Sequence, residues 1–234
     1  MKKRKAYWKV IAVYMFVLSL AVLLTFAGNR SITTLSEQAP LRNRKTVIID
    51  AGHGGVDGGA SSVTGALESQ LNLQIAQRLD DLLHLLGIKT VMIRNSDTSI
   101  HTKGESIAEI KVSDLKERVR IVNETDQSVL VSIHQNHFSD SRYSGAQVFY
   151  APTAGSKELA ETMQTTLKTL NPINNRVAKK ADGVYLMQHI ENTGVLVECG
   201  FLSNIKEEAL LREPQYQKKI CCAIAASLSA YLAS

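Results

Sequence analysis

Two runs of this chain, SVLVSIH at 128 to 134 and GVLVECGF at 194 to 201, are apolar almost without a break. A strand with one face in water alternates apolar and polar residues, whereas a nearly continuous apolar strand is buried on both faces, beneath helices on each side of a sheet. The sequence around the two runs supplies those helices. TVIID (46 to 50) is a short β-rich run that opens into the glycine-laden AGHGGVDGGASSVTG. ESQLNLQIAQRLDDLLHLLG then places apolar residues at helical spacing, with Gly87 as its C-terminal stop.

The same alternation continues to the C-terminus. KTVMIR (89 to 94) reads as a strand, residues 95 to 113 as a polar excursion, and DLKERVRIVNET as a helix opened by an Asp or Ser cap. GAQVFYA (145 to 151) is a strand, SKELAETMQTTLKTL a helix and GVYLM a short strand, and helices over 205 to 212 and 215 to 233 close the chain. Strands alternating with helices predict an α/β fold, a three-layer domain whose largely parallel or mixed central sheet is flanked by helices.

The formal net charge of +5 is located in one place. Of the 27 basic residues, Lys2, Lys3, Arg4, Lys5 and Lys9 precede every acidic one, and the rest match the 22 acidic residues in number. The body of the chain is therefore neutral and offers no face for nucleic acid. The basic leader runs into VIAVYMFVLSLAVLLTFA, residues 10 to 27, which carry no charge. Residues 1 to 28 thus read as an export signal: a retained membrane anchor, or a signal peptide cut after Thr25-Phe26-Ala27. By the positive-inside rule the remainder is extracytoplasmic, membrane-anchored or secreted. Residues 29 to 44 lack apolar periodicity and read as a linker, with folded structure beginning at Lys45. Three cysteines, two of them adjacent at Cys221 and Cys222, make no disulfide framework and read as buried small apolar residues.

Sheets of this class bind ligands beyond the carboxyl ends of their strands, which is where the chemically capable residues fall. His53 stands among glycines after the first strand, a setting that suits a metal ligand or a substrate contact. The spacing GHGGVDGGA matches neither phosphate-binding fingerprint. Glu68 opens the following helix, where the dipole favours a carboxylate whatever else it does. His134 ends an apolar strand, either as a satisfied core histidine or as a ligand, and His137 beyond it reads as a loop or substrate-side residue. Glu198 places a carboxylate inside an apolar strand, where desolvation raises its pKa and demands a metal, a partner or a proton-transfer role. Neighbouring Cys199 points to the opposite face and cannot share a ligand with Glu198. Two histidines and one carboxylate, with a further glutamate as base, form a common catalytic zinc set.

VIIDAGHGGVDGGA, Glu68 with Leu71-Asn72-Leu73, SIHQNH and VLVECGFLSN, in that order over residues 46 to 233, resemble the zinc-dependent N-acetylmuramoyl-L-alanine amidases. The resemblance implies that residues 45 to 234 are the zinc amidase domain, that His53, Glu68 and His134 ligate Zn2+, and that Glu198 is catalytic. It implies peptidoglycan as substrate and leaves open an activating protein partner. LKERVRIVNE, YSGAQVFY and VYLMQ resemble the subgroup acting on the spore cortex. Two other readings remain. An extracellular zinc peptidase of carboxypeptidase type would need a cation for the substrate's terminal carboxylate, with Arg94 or Arg118 as candidates, although Arg118 reads as a structural helix residue. A non-catalytic wall-binding module would require decay of a catalytic position, and none has decayed. His189, near the end of the YLMQHI run, is placed equally well in a substrate groove or on the surface.

Overall fold

The computed structural model describes residues 45 to 234, so the expected leader (1 to 28) and linker (29 to 44) lie outside the described residues. Six strands form one sheet in the order β2-β1-β3-β6-β4-β5. They are β1 (Thr46–Ala51), β2 (Thr90–Met92), β3 (Ser128–Asn136), β4 (Gln147–Tyr150), β5 (Lys179–Lys180) and β6 (Thr193–Phe201). Every pairing is parallel except β4 with β6, so the sheet is mixed, as the alternation of elements predicts.

Helices cover both faces. Val47, Ile49, Val131, Ile133, Val195 and Val197 point into one core against α1 (Glu68–Leu85), α3 (Ser156–Lys168) and α6 (Pro214–Ala233). The alternate residues Ile48, Leu130 and Leu196 point into a second core against α2 (Ile107–Glu124) and the short α4 (Tyr185–His189). This explains the near-continuous apolar runs: a period of two sends successive side chains into two different cores. The remaining helix, α5 (Ile205–Arg212), is capped by Asn204, whose side chain accepts from the backbone of Lys206 and Glu207.

Gly87 lies at φ 71° just past α1, its N–H donating to His84 O at 2.9 Å while Ile88 N–H reaches Leu83 O at 2.9 Å. These two bonds close α1 as a glycine-ended helix should be closed.

Three local readings need correction. First, α2 begins at Ile107, seven residues before the expected Asp114, because Ser106 and Glu109 form a reciprocal capping box. The expected caps serve the preceding loop instead: Asp114 accepts from Ser99 and from Ile100 N, and Ser113 from Thr102 N and Lys103 N. Second, GVYLM is not a strand. Gly183 turns the chain at φ 81°, Tyr185–His189 forms α4, and the edge pairing falls just upstream at Lys179–Lys180. Third, Cys199 and Cys221 are buried but Cys222 is exposed, since consecutive helical positions point about 100° apart.

The chain leaves β1 in two directions, through α1 to β2 on one side and onward through α2 to β3 on the other. The crevice between the carboxyl ends of β1 and β3 is therefore the topological switch point.

Candidate metal centre

His53 follows β1 at that switch point, His134 lies near the end of β3, and Glu68 is the first residue of α1. Donor atoms of the three lie within 4.8 Å of one another. His53 Nε2 is 3.3 Å and His134 Nδ1 is 3.1 Å from the same oxygen, Glu68 Oε1. The two rings meet edge to face with centroids 5.0 Å apart.

The glycine loop makes this convergence possible. A Cβ on Gly52 would lie 2.2 Å from the His134 ring, and one on Gly59 would lie 2.6 Å from Glu68 Oε2 and 2.8 Å from His53 Cδ2. The loop also closes the start of α1, whose first residue has no side-chain cap: Glu68 N–H donates to Ala60 O at 2.9 Å and Ser69 N–H to Gly58 O at 3.0 Å. His53 itself sits at φ 62°, in the left-handed region that is uncommon for any residue but glycine.

Two buried arginines hold that strained backbone. Arg94, just beyond β2, donates to Ala51 O (2.7 Å), Gly52 O (3.0 Å), Ser69 O (2.8 Å) and Ser96 O (2.9 Å). Arg118, on α2, donates to Ala51 O (3.0 Å) and His53 O (2.8 Å) and pairs with Asp114 and Asp50. Both side chains are buried and each guanidinium already donates four hydrogen bonds within the fold, so neither Arg94 nor Arg118 is exposed to a substrate carboxylate. That removes the two cations on which the carboxypeptidase reading depended, and Arg118 has the structural role its helix position suggested.

Glu68 is buried, which by itself would raise its pKa, but hydrogen bonds from His134 and His53 outweigh burial and hold it ionised far below the usual carboxylate range. Its oxygens are further fixed by Ala60 N–H (2.9 Å), Gln135 N–H (3.1 Å) and the Asn72 amide (3.3 Å). His53 shows the converse. Burial lowers its pKa, yet the carboxylates of Glu68 and Asp57 more than compensate and raise it to about 9.

Glu198 stands directly opposite His134 in the parallel register of β3 and β6, so both side chains leave the sheet on the same face. Beyond this pair the ladder shifts by one residue, with Asn136 pairing Phe201. Bulges of this kind re-aim side chains beside sites. Glu198 Oε2 is buried and has no hydrogen-bond partner among the described residues. Burial, reinforced by the charge of Glu68 and opposed by both histidines, raises its pKa to about 7. Cys199, the next residue, points into the opposite core, as strand alternation requires.

A family model described as N-acetylmuramoyl-L-alanine amidase matches residues 47 to 230, nearly the whole described domain. The chain belongs to this family of amidases. Among its relatives is the germination-specific N-acetylmuramoyl-L-alanine amidase of Bacillus subtilis (strain 168), 38% identical over 183 residues that cover 77% of this chain and 76% of the relative. The amidase LytC of the same organism is 32% identical over 183 residues, covering 77% of this chain and 34% of that longer protein. Among solved structures, the CwlD amidase from Clostridioides difficile in complex with the GerS lipoprotein superposes with a TM-score of 0.77 at 38% identity. That match covers 81% of this chain and 98% of the other.

The chain is thus an amidase of the α/β class, and its likeness to the germination-specific and CwlD amidases supports the spore-cortex subgroup. The other two histidines considered from the sequence, His137 and His189, fall outside its donor cluster. His137 is exposed just past β3. His189 ends α4, stacked on Tyr185 with centroids 3.9 Å apart, and its carbonyl accepts from Asn123 near the C-terminal end of α2. This is the side on which β3 begins, away from Glu68, so His189 is a surface residue and not part of a groove around the cluster.

Several contributors to the site carry no signal strong enough to single them out in the sequence. Asp57 contacts His53, Asn72 bridges Gly52 O and Glu68, and Gly52 makes room for the His134 ring. The only hint was their position inside the motifs GHGGVDGGA and LNL.

Proposed function

We propose that this amidase is a zinc enzyme in which His53, Glu68 and His134 hold the ion and Glu198 transfers the protons. The observation that carries this reading is the three-donor cluster together with an unpartnered, buried carboxylate oxygen on the adjacent strand. Two nitrogens and one oxygen converging from three elements suit tetrahedral zinc with a fourth position left for water. The tight glycine cradle around the two rings and the Glu68 carboxylate fits the same assignment.

Zinc held there would supply Lewis acidity, acidifying water toward neutral pH and polarising the scissile carbonyl. The chain does the rest. Glu198, with a pKa brought to about 7 by burial, takes a proton from the attacking water as that oxygen bonds to the amide carbon. It then returns the proton to the departing nitrogen as the C–N bond breaks. The Asn72 amide and the Gln135 backbone N–H hold the Glu68 carboxylate in place.

The bond cut is the amide between the lactyl group of N-acetylmuramic acid and L-alanine of peptidoglycan, which frees the stem peptide. The likeness to the germination-specific amidase supports action on the spore cortex, on the route to muramic lactam. Residues 1 to 28 would carry the domain out of the cytoplasm, as anchor or cleaved signal. The relative solved together with the GerS lipoprotein supports a protein partner for this chain as well.

Disruption of the gene followed by analysis of spore muropeptides tests the cortex assignment. Cortex that keeps its stem peptides and lacks muramic lactam is the expected result. An unaltered cortex would overturn that role and leave the vegetative wall as substrate.

A further inference from the structure

We infer that Asp57, fastened by Lys111, is the positioning residue that decides which nitrogen of His53 is offered to a metal. The inference rests on the reading of His53 as a ligand. His53 Nδ1 lies 2.9 Å from Asp57 Oδ2, while Nε2 lies 3.3 Å from Glu68 Oε1. A neutral imidazole has one N–H and one lone pair, and an ionised carboxylate can only accept. Asp57 occupies Nδ1, so Nε2 is the nitrogen that faces the donor cluster; a metal bound there takes the place of any proton on Nε2 and leaves the ring's one N–H on Nδ1, donated to Asp57.

The second oxygen of Asp57 is engaged elsewhere. Oδ1 receives Lys111 Nζ at 2.9 Å and Gly59 N–H at 3.3 Å. The carboxylate thus spans the metal loop and ties it to α2, which lies over the opposite face of the sheet from α1. Such support matters at His53 more than elsewhere, because its backbone at φ 62° does not by itself favour the conformation that presents the ring. His134 uses a different arrangement, turning Nδ1 and not Nε2 toward Glu68. Asp57 is therefore specific to His53. A carboxylate behind the ring also raises the basicity of the ligating nitrogen, and groups of this kind typically carry about 10–100-fold in metal affinity.

The test uses the full-length protein in detergent: wild type, Asp57→Asn, Lys111→Met and Lys111→Arg. Each is titrated with zinc against a chromogenic chelator, and its cobalt-substituted form is examined by visible absorption. Asp57→Asn keeps the size of the side chain but cannot satisfy the ring, the ammonium and the loop at once. It is expected to weaken zinc about 10–100-fold and to shift the cobalt bands, with circular dichroism unchanged. Lys111→Met should lose less, under about tenfold, and Lys111→Arg should recover most of that loss.

Wild-type affinity and an unchanged cobalt spectrum in Asp57→Asn would overturn the inference. Lys111→Met leaves the carboxylate in place and decides the matter if Asp57→Asn fails to fold: unchanged affinity there counts against the link. A wild type that takes up no zinc at all is a separate outcome, which sinks the ligand assignment itself and this inference with it.

Discussion

His134 and Glu198 face each other in register across β3 and β6, as the last regular pair before the ladder shifts. The pairing gives an outwardly simple sheet its chemistry. One residue of the pair joins a donor cluster with His53 and Glu68, and the other brings a buried carboxylate oxygen with no partner to the same face. The first consequence is a division of labour. Glu198→Gln should lower turnover by about 10²–10⁴-fold, the usual range for a lost general acid-base group, while zinc content measured by elemental analysis stays at the wild-type level.

The same residue should cost stability. A carboxyl whose folded pKa is raised to about 7 binds its proton more tightly folded than unfolded. In metal-free protein its destabilising effect is absent below the unfolded pKa, grows as pH rises, and is complete above about pH 7. Chelator-treated Glu198→Gln should therefore melt at a higher temperature than chelator-treated wild type at pH 8, with the difference closing near pH 4. Equal melting temperatures at both pH values would contradict the burial argument.

Arg118 and Asp50 set the opposite pH dependence. Burial would raise the Asp50 pKa, but the Arg118 charge and the Ser132 hydrogen bond at 2.6 Å overcome it and hold Asp50 below the usual carboxylate range. A depressed carboxylate contributes stability that is present above the unfolded pKa of about 3.9 and is lost as pH falls toward the folded value. Arg118→Met leaves that charge buried and unpaired, and should cost about 3–5 kcal/mol by urea unfolding at pH 7. The gap between variant and wild type should narrow as the solution is acidified.

Gly52→Ala should damage the site without touching a ligand. The added Cβ would come within 2.2 Å of the His134 ring, so either the ring or the loop must move. A loss of about 1–3 kcal/mol in stability, accompanied by weaker zinc binding, is expected from thermal melts with and without metal. Undiminished zinc affinity would show that the ring position is not critical.

The sequence reveals the strands of the sheet because SVLVSIH and GVLVECGF serve two cores at once, which leaves few other places for them. His134 and Glu198 stand out because a polar group in an apolar strand needs a reason, and His53 by its glycine setting, whereas Glu68 at a helix start is singled out by the family resemblance alone. Features that depend on closure in three dimensions stay hidden. Arg94 looks like a free cation, and Arg118 like a helix residue of unspecified structural role, until the carbonyls of Ala51, Gly52 and His53 are seen to converge on them. Asp57 carries no signal of its own until the loop folds it back onto His53. Local competition accounts for the misplaced boundaries. Ser106 with Glu109 captures the start of α2 from within a polar stretch, and five residues of GVYLM are too few to separate strand from helix by periodicity.

The most direct test is mass spectrometry of the soluble products released when purified full-length protein is incubated with isolated peptidoglycan, with and without a chelator. Intact stem peptides beginning at L-alanine, released by the metal-loaded protein and lost on chelation, are the expected result. Undiminished release after the metal has been removed would contradict the zinc assignment, and shorter peptide fragments in place of intact stems would contradict the bond assigned to this site.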